Sequence, residues 1–266
     1  MIIIGEKINS TLKAIRPAME CRDAAVIADL AKKQTEAGAC YLDVNAGMFY
    51  ENELETLQWL IDVVQDTVKT PLSIDSPNAK AMALGLAANK NGKPIVNSIT
   101  GEKERLHAVL PLVVQYKASV IALCMDDCGM PETAADRVGI ARTLIDTLTK
   151  EGVALDDIFI DPMIRPIGTG SHYGHVALDT IRTVKTEYPE VHIACGLSNI
   201  SFGIPARKVM NQAFLVAAMA AGMDGAILDP LDKKLMTFLY ASEALLGVDD
   251  FCMNYITKFR EGELEV

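Results

Sequence analysis

Aromatic residues, histidine and long apolar runs are all scarce in this sequence. Aromatics make up 6% of the 266 residues, with one tryptophan, and there are four histidines. No apolar stretch approaches the roughly 20 residues that a membrane-spanning helix needs. The apolar start of the chain, 2–4, is too short for a secretion signal and is followed by Gly5 and Glu6. We therefore expect no membrane partner and a cytoplasmic location.

Positive charge is also in short supply. The chain has 25 Lys and Arg against 35 Asp and Glu, which gives a net charge of −10. Such a balance argues against nucleic acid or an anionic membrane as the main partner. The six cysteines are scattered, so a disulfide framework is not expected. Cys124 and Cys128 form a C-x3-C pair, but zinc would require two more ligands at suitable spacing. We expect no bound metal.

Short apolar segments alternate with longer amphipathic segments along the whole chain. The predicted strands are 2–5, 40–45, 72–75, 94–98, 120–124, 158–161, 192–196 and 225–228. The predicted helices are 23–37, 53–68, 78–88, 102–116, 133–149, 175–186, 205–221 and 232–246. The strands lack a clean alternation of apolar and polar residues, which is typical of a parallel sheet buried on both faces.

Eight strand–helix units in about 250 residues predict a closed (β/α)8 barrel, the TIM barrel of the α/β class. An open doubly wound sheet is the alternative, but it favours a G-x-G-x-x-G turn after an early strand, and the sequence has none. No linker and no low-complexity segment interrupts the pattern. We expect a single domain over 1–266.

Polar side chains follow five of the predicted strands at their carboxyl ends. They are Asp43 and Asn45, Asp75, Asn97, Asp161, and Ser198 with Asn199. Taken alone, an Asp or Asn after a strand is usually the N-cap of the next helix. In a barrel, however, these strand ends meet at one mouth, where active sites lie. The sequence therefore predicts a polar cup at that mouth.

Recognition of a flat heterocycle rich in N–H groups is the chemistry that this cup suits. Carboxylates only accept hydrogen bonds, whereas asparagine both donates and accepts. A 2-amino-4-oxo pterin presents an amine and a ring N–H beside a carbonyl, and each hydrogen bond to a charged group contributes about 1.5–3 kcal/mol. A two-carboxylate glycosidase is one alternative, although it usually needs aromatic platforms. A divalent cation bound by Asp43, Asp75 and Asp161 is another.

The strand ends resemble those of the pterin-binding barrel family, and more closely the methyltetrahydrofolate:corrinoid protein methyltransferases. The segments that carry the resemblance are Leu42-Asp43-Val44-Asn45, Ile74-Asp75-Ser76, Val96-Asn97-Ser98, Ile160-Asp161-Pro162 and Gly196-Leu197-Ser198-Asn199-Ile200-Ser201. The likeness covers essentially the whole chain. It implies an enzyme that moves the N-5 methyl group between methyltetrahydrofolate and the cobalt of a corrinoid. The chain has no D-x-H-x-x-G motif, so the corrinoid, a cobalamin-type cofactor, must belong to a separate protein.

The resemblance also implies a role for each residue of the cup. Asp75, Asn97 and Asp161 would bind the pterin, Gly196 and Ser198 would line the pocket, and Asn199 and Asp161 would be catalytic. Arg207, Asp43 and Asn45 would contact the folate tail or the partner protein. Asn199 would lie beside N-5 and donate a hydrogen bond that strengthens toward the transition state. The resemblance further implies a homodimer.

Two other functions stay open from the sequence. Dihydropteroate synthase uses a similar barrel but requires a lysine near the end of the seventh strand, where this chain has 195–199 without one. A non-catalytic folate-binding protein would keep the cup without turnover. An apolar stripe near the carboxyl terminus would form either a dimer interface or the barrel's own packing; it consists of Leu215, Met219, Leu235, Phe238 and Leu239.

Overall fold

The computed structural model describes residues 1–265, and in it eight parallel strands close into a barrel in chain order. The strands are β1 (Ile2–Asn9), β2 (Tyr41–Asn45), β3 (Leu72–Asp75), β4 (Ile95–Thr100), β5 (Ser119–Leu123), β6 (Ile158–Asp161), β7 (His192–Gly196) and β8 (Gly225–Leu228). The barrel closes because β8 pairs with β1. The predicted (β/α)8 fold is confirmed. The predicted domain 1–266 includes Val266, which lies outside the described residues.

Helices surround the barrel and connect the strands. They are α1 (Arg16–Glu20), α2 (Ala24–Glu36), α3 (Glu53–Thr67), α4 (Ala79–Ala88), α5 (Lys103–Tyr116), α6 (Ala134–Lys150), α7 (Tyr173–Glu187), α8 (Arg207–Ala221), α9 (Lys233–Leu245) and α10 (Met253–Arg260). The eight predicted helices are present with ends within two residues of the prediction. Within the described part of the chain, no helix combines the length and the apolar content needed to cross a bilayer.

Three features differ from the sequence-based expectation. The helices α1 and α10 were not predicted, because segments of five and eight residues are too short to display a helical period. Strand β1 extends to Asn9 instead of ending at Gly5. The pairing of β1 with β2 shifts register between Gly5 and Ile8. This bulge interrupts the apolar pattern, which is why the second half of the strand was not predicted.

The inside of the barrel is apolar in its lower layers. Its core consists of Ile4, Ile95, Ile121, Phe159 and Ala194, with Ile2, Tyr41, Leu123 and Ile227 packed against it. Successive inward side chains on a strand are two residues apart. Glu6 therefore follows Ile4, Asp161 follows Phe159 and Asp229 follows Ile227 toward the mouth. The same alternation that fills the barrel below delivers carboxylates above.

The apolar stripe near the carboxyl terminus belongs to the barrel's own packing. Leu215, Met219, Leu235 and Leu239 are buried in the main core between strands and helices. Phe238 alone of the five is exposed. The four buried side chains are therefore not available as an interface with a second copy.

Gly85 offers a test of how closely a helix packs on the barrel. A Cβ added at Gly85 in α4 would lie 2.7 Å from Cγ2 of Ile74 in β3. We expect Gly85→Ala to lower the free energy of unfolding by about 1–3 kcal/mol through overpacking. Gly139→Ala in α6 is the control, because a Cβ there meets nothing within 4 Å; it should stabilise by about 0.5–1 kcal/mol through helix propensity. Equal stability of the two variants in urea titrations would contradict the close contact.

Candidate functional site

Strand register brings one group of the predicted residues together at the mouth. Asn45 pairs with Asp75, and Asp75 pairs with Asn97, so these three lie side by side on β2, β3 and β4. Asp43 lies one layer lower, level with Ser73. These strands therefore form a continuous polar wall on one side of the barrel.

Asp43 supports this wall from below. Its Oδ1 accepts hydrogen bonds from the Ser73 hydroxyl at 2.7 Å and from the Asn97 amide at 3.0 Å. Burial raises the pKa of Asp43 well above its ordinary value, and the charge of neighbouring Asp75 raises it further. Both effects favour the protonated form of the Asp43 carboxyl group, which lies beside Asp75.

Asp75 is half-buried and faces the open mouth. Its Oδ2 accepts from the Asn45 amide at 2.8 Å, and the Asn45 Oδ1 accepts in turn from the Ser10 hydroxyl at 2.8 Å. Burial raises the pKa of Asp75 to about 6, while the bonds from Asn45 and Asp43 and the charge of Arg105 act in the opposite direction. Asp75 is consequently a mainly ionised acceptor at neutral pH.

Asp43 and Asn45 are buried, and their contact with a folate tail or a partner protein stays a prediction. The two side chains are only 1% and 7% exposed. Both are already engaged by Ser73, Ser10 and the wall residues. Asp43 contacts Asn97 from the layer below, and Asn45 contacts Asp75 from the neighbouring strand.

Arg105 is a residue of this wall that the sequence interpretation missed. Its guanidinium donates to the backbone carbonyl oxygens of Ser76 at 2.8 Å, Pro77 at 2.6 Å and Ser98 at 2.6 and 3.0 Å. The Asn97–Ser98 peptide bond is cis. Arg105 thus ties the loop that follows β3 to strand β4. Its position in the first turn of α5 carries no sequence signal for such long-range contacts.

Asp161 ends β6 and is buried beside the wall. It accepts from the backbone N–H of Met163 at 2.7 Å and from that of Gly196 on β7. Burial nevertheless raises its pKa to about 7. The fully buried Arg137 donates to the carbonyl oxygens of Pro162 at 2.8 Å and Met163 at 2.9 Å, which fixes the turn after Asp161.

Arg137 was missed as well, although its sequence position carries a signal. It stands four residues before Ala141 and seven before Leu144, which are both buried on the inner face of α6. This spacing puts an arginine on an apolar helix stripe. A buried arginine must find acceptors, and here these are backbone carbonyl oxygens of the mouth.

A second polar group lies across the mouth, where β8 meets β1. The Lys7 ammonium group is 2.9 Å from Oδ2 of Asp229. Burial and the charge of Asp229 together raise the pKa of Glu6 to about 7, while Lys7 and Arg207 lower it. Glu6 and Asp229 were both missed, although each stands two residues after an inward isoleucine.

Two exposed polar side chains lie at the end of β7. Arg207 is exposed and donates to the Ser198 carbonyl at 2.7 Å and the Ser201 hydroxyl at 3.1 Å. Asn199 is exposed, and within 1–265 its amide makes no hydrogen bond. A Cβ added at Gly196 would lie 3.1 Å from the Asn199 Nδ2, so glycine leaves that amide room to move.

The mouth also has an apolar floor. Leu123 and Ile227 cap the inner core and remain partly exposed on the upper side. The arrangement is therefore an open cup with an apolar base, an acceptor wall on one side and mixed charges on the other. Over the described range, no three or more His, Cys, Asp and Glu side chains are grouped as metal ligands; the absence of a bound metal stays a prediction.

Comparison with known proteins identifies the family. A family model described as pterin binding enzyme matches residues 5–229, which include every strand-end residue of the cup. The chain belongs to the pterin-binding enzyme family. It is 40% identical over 267 aligned positions to the methylcorrinoid:tetrahydrofolate methyltransferase of Eubacterium limosum, covering 99% of this chain and 98% of that protein.

Other relatives of this pterin-binding enzyme are more distant. Methionine synthase of Mycobacterium leprae is 32% identical over 240 residues, which is 85% of this chain but 20% of that enzyme. The dihydropteroate synthase of Vibrio fischeri ES114 superimposes with a TM-score of 0.71 at 16% identity, covering 92% of this chain and 93% of that one. The dihydropteroate synthase of Xanthomonas albilineans in complex with 7,8-dihydropteroate superimposes with a TM-score of 0.67 at 17% identity, covering 94% of this chain and 93% of that one. The two solved structures support the fold alone.

Asp161 should make stability depend on pH. Its pKa rises from 3.8 in the unfolded chain to about 7 in the folded chain, so protonation stabilises the fold fully below about pH 4. That stability is lost as the pH rises through 7, at a cost of at most about 4 kcal/mol. We expect Asp161→Asn to raise the melting temperature at pH 8 and to have little effect at pH 4.

Asp146→Asn is the control for this experiment, because Asp146 is exposed on α6. The melting temperature of Asp146→Asn should equal that of the wild type at pH 4 and at pH 8. A pH-independent effect of Asp161→Asn would show that the carboxyl group titrates normally in the folded chain.

Proposed function

We propose that this pterin-binding enzyme moves the N-5 methyl group between methyltetrahydrofolate and the cobalt of a corrinoid carried by a separate protein. The observation that carries the proposal is the set of acceptors above an apolar floor, Asp75 and Asn97 in the wall and Asp161 at the end of β6, together with the exposed amide of Asn199 after β7. Similarity over the full chain to the Eubacterium limosum enzyme supports it, and that enzyme's name gives methylcorrinoid as donor and tetrahydrofolate as acceptor.

Hydrogen bonding explains why a pterin fits the wall. Asp75 and Asp161 accept from the ring N–H groups and the exocyclic amine. The amide nitrogen of Asn97 is committed to Asp43, which leaves its carbonyl oxygen as a further acceptor. Leu123 and Ile227 meet the face of the ring. A ligand without the amine would leave buried acceptors unpaired, which disfavours it.

Methyl transfer at N-5 requires a hydrogen bond to that nitrogen that becomes stronger as the reaction approaches its transition state. A neutral tertiary amine is a poor leaving group, so a donor is needed as charge develops on nitrogen. Asn199 is free to swing over the mouth and donate there, and such an interaction lowers the barrier because it is strongest in the transition state. The pKa of Asp161 is about 7, so this carboxyl group is suited to exchange a proton near the ring. The partner's corrinoid supplies or receives the methyl group at its cobalt.

The polar groups after β7 suit the part of the folate beyond the pterin ring. The exposed guanidinium of Arg207 favours the carboxylate-bearing tail, and Gly196 and Ser198 line the approach. We assign Asp43 and Asn45 to support of the pterin wall. The homodimer, the single domain over 1–266 and the cytoplasmic location stay predictions.

Asn199→Ala separates catalysis from binding. We expect single-turnover methyl transfer from methyltetrahydrofolate to reduced free cobalamin to slow by about 10²–10³-fold, as when an oxyanion-type donor is removed. The dissociation constant for the folate, measured by calorimetry, should change by less than about fivefold. Asn254→Ala, on the exposed surface of α10, is the control and should react like the wild type.

The alternatives predict other results for the same variant. A non-catalytic folate-binding protein would show no transfer in the wild type and would lose affinity only. Full transfer activity in Asn199→Ala would contradict the role given to the amide. An absence of folate binding in the wild type would contradict the pterin assignment itself.

Asp75→Asn tests the pterin wall directly. The substitution keeps the shape of the side chain but removes the charge, so the dissociation constant for the folate should rise about 10- to 100-fold. Asp66→Asn on the exposed side of α3 is the matched control and should bind normally. Unchanged affinity in Asp75→Asn would mean that the ring binds elsewhere in the cup.

A further inference from the structure

A patch of positive charge lies on the mouth side of the barrel, where α8 and α9 begin. We name it the lysine patch; it consists of Lys208, Lys233 and Lys234, which are all exposed. The net charge of the chain is −10, so a group of exposed cations stands out against the rest of the surface. A local group of like charges raises the concentration of oppositely charged ligands beside it. The lysine patch therefore favours an anionic ligand.

An ion pair connects the two helix starts. The Lys208 ammonium group is 3.1 Å from Oδ2 of Asp232, which is the N-cap of α9 and accepts from the backbone N–H of Leu235. Lys233 and Lys234 follow Asp232 directly. Helix α8 packs against α9, and the axes of packed helices are about 8–10 Å apart. One small anion with several charges can therefore reach all three ammonium groups.

The acids near Lys208 do not cancel the patch. The hydrogen bond to Asp232 raises the pKa of Lys208, and the charges of Asp229 and Glu265 act in the same direction. Asp229 is itself paired with Lys7. The Asp232 side chain is 13% exposed, whereas that of Lys208 is 79% exposed. Because an ammonium group has three N–H donors, Lys208 can bind a second carboxylate from solvent.

Helix stability does not explain the position of the lysines. Positive charge is disfavoured in the first turn of a helix, where the helix dipole is itself positive. Helix α9 nevertheless begins with Lys233 and Lys234, and neither forms an ion pair within residues 1–265. The first turns of α8 and α9 contain no acid, whereas those of α3, α5 and α6 do. A ligand accounts for these cations better than the stability of the helices does.

The lysine patch continues from the residue assigned to the folate tail. Arg207 directly precedes Lys208, is exposed and donates to the Ser198 carbonyl after β7. A folate ends in a glutamate, and further glutamates can be joined to it through the side-chain carboxyl group. Each added unit then carries one free carboxylate, so the extended tail is a short polyanion. Its direction from Arg207 along α8 leads onto the lysine patch.

We propose that the lysine patch binds the linked glutamates of a polyglutamylated folate. The inference rests on the proposed function, because it requires a folate in the cup. An exposed pair of lysine and carboxylate strengthens binding about threefold, so two added glutamates should raise the affinity about tenfold. Without the patch, the net charge of −10 would repel the added carboxylates and lower the affinity.

Calorimetry with methyltetrahydrofolate that carries one or three glutamates tests the patch. In the wild type, the triglutamate should bind about tenfold more tightly at low salt, and about 0.5 M salt should reduce the difference to less than threefold because ions screen exposed charges. The triple variant Lys208→Gln, Lys233→Gln, Lys234→Gln should bind the two forms within about twofold of each other. Its affinity for the monoglutamate should equal that of the wild type.

A matched control removes the same charge from the other end of the barrel. The triple variant Lys69→Gln, Lys90→Gln, Lys150→Gln changes exposed lysines that lie before β3, before β4 and at the end of α6. Because its net charge equals that of the test variant, it should keep the tenfold preference for the triglutamate. Thermal melting checks that both variants are folded, as expected for substitutions of exposed residues.

Three results would overturn the role of the lysine patch. One is a wild type that binds the monoglutamate as tightly as the triglutamate. Another is a preference that survives in the test variant. The third is an equal loss in the control variant, which would show that the overall charge acts on the tail instead of the patch. Methyl transfer from the monoglutamate to free cobalamin is measured in parallel, and its persistence would show that the proposed function stands without the patch. A wild type that binds neither form would overturn both.

Discussion

Eight parallel strands that close into a barrel must point every second side chain inward, and this constraint determines where each polar residue of the cup lies. Isoleucine, phenylalanine and alanine fill the lower layers. The next inward positions on β1, β2, β3, β6 and β8 are carboxylates, which therefore stand above an apolar core instead of in water. Everything else at the mouth follows from the need to accommodate that buried negative charge.

Two arginines stabilise the mouth without neutralising it. Arg105 and Arg137 direct their guanidinium groups to backbone carbonyl oxygens of β4 and of the loops after β3 and β6. The charges of Arg105 and Arg137 lower the pKa of Asp75 and Asp161 from a distance, whereas direct ion pairs would have lowered it further and occupied the carboxylate oxygens. Because the arginines bind backbone carbonyl oxygens instead, the carboxylates can still accept hydrogen bonds from a ligand. The ionisation of buried Asp161 lowers the stability of the fold as the pH rises.

The sequence determined the fold because eight short apolar segments at regular intervals leave few other solutions. It also located Asp75, Asn97 and Asp161, since Asp75 and Asp161 end predicted strands and Asn97 is next to the end of one. Glu6 was missed because the bulge in β1 interrupts the pattern, and Arg105 because its acceptors lie on other loops. The burial of Asp43 and Asn45 could not be read from the sequence either, since it depends on strand register and on a serine 30 residues away.

The side chain at the carboxyl end of β7 distinguishes a methyltransferase from a dihydropteroate synthase on this fold. A pyrophosphate leaving group, as in dihydropteroate synthase, requires a free cation near that strand end. In this chain Lys7 is paired with Asp229, and we assign the exposed Arg207 to the carboxylate-bearing tail. The group at the strand end is the neutral amide of Asn199, next to a glycine that leaves it room to move. A neutral donor suits charge that develops on a ring nitrogen better than the charge of a departing pyrophosphate, which is why the same acceptor wall favours methyl transfer here.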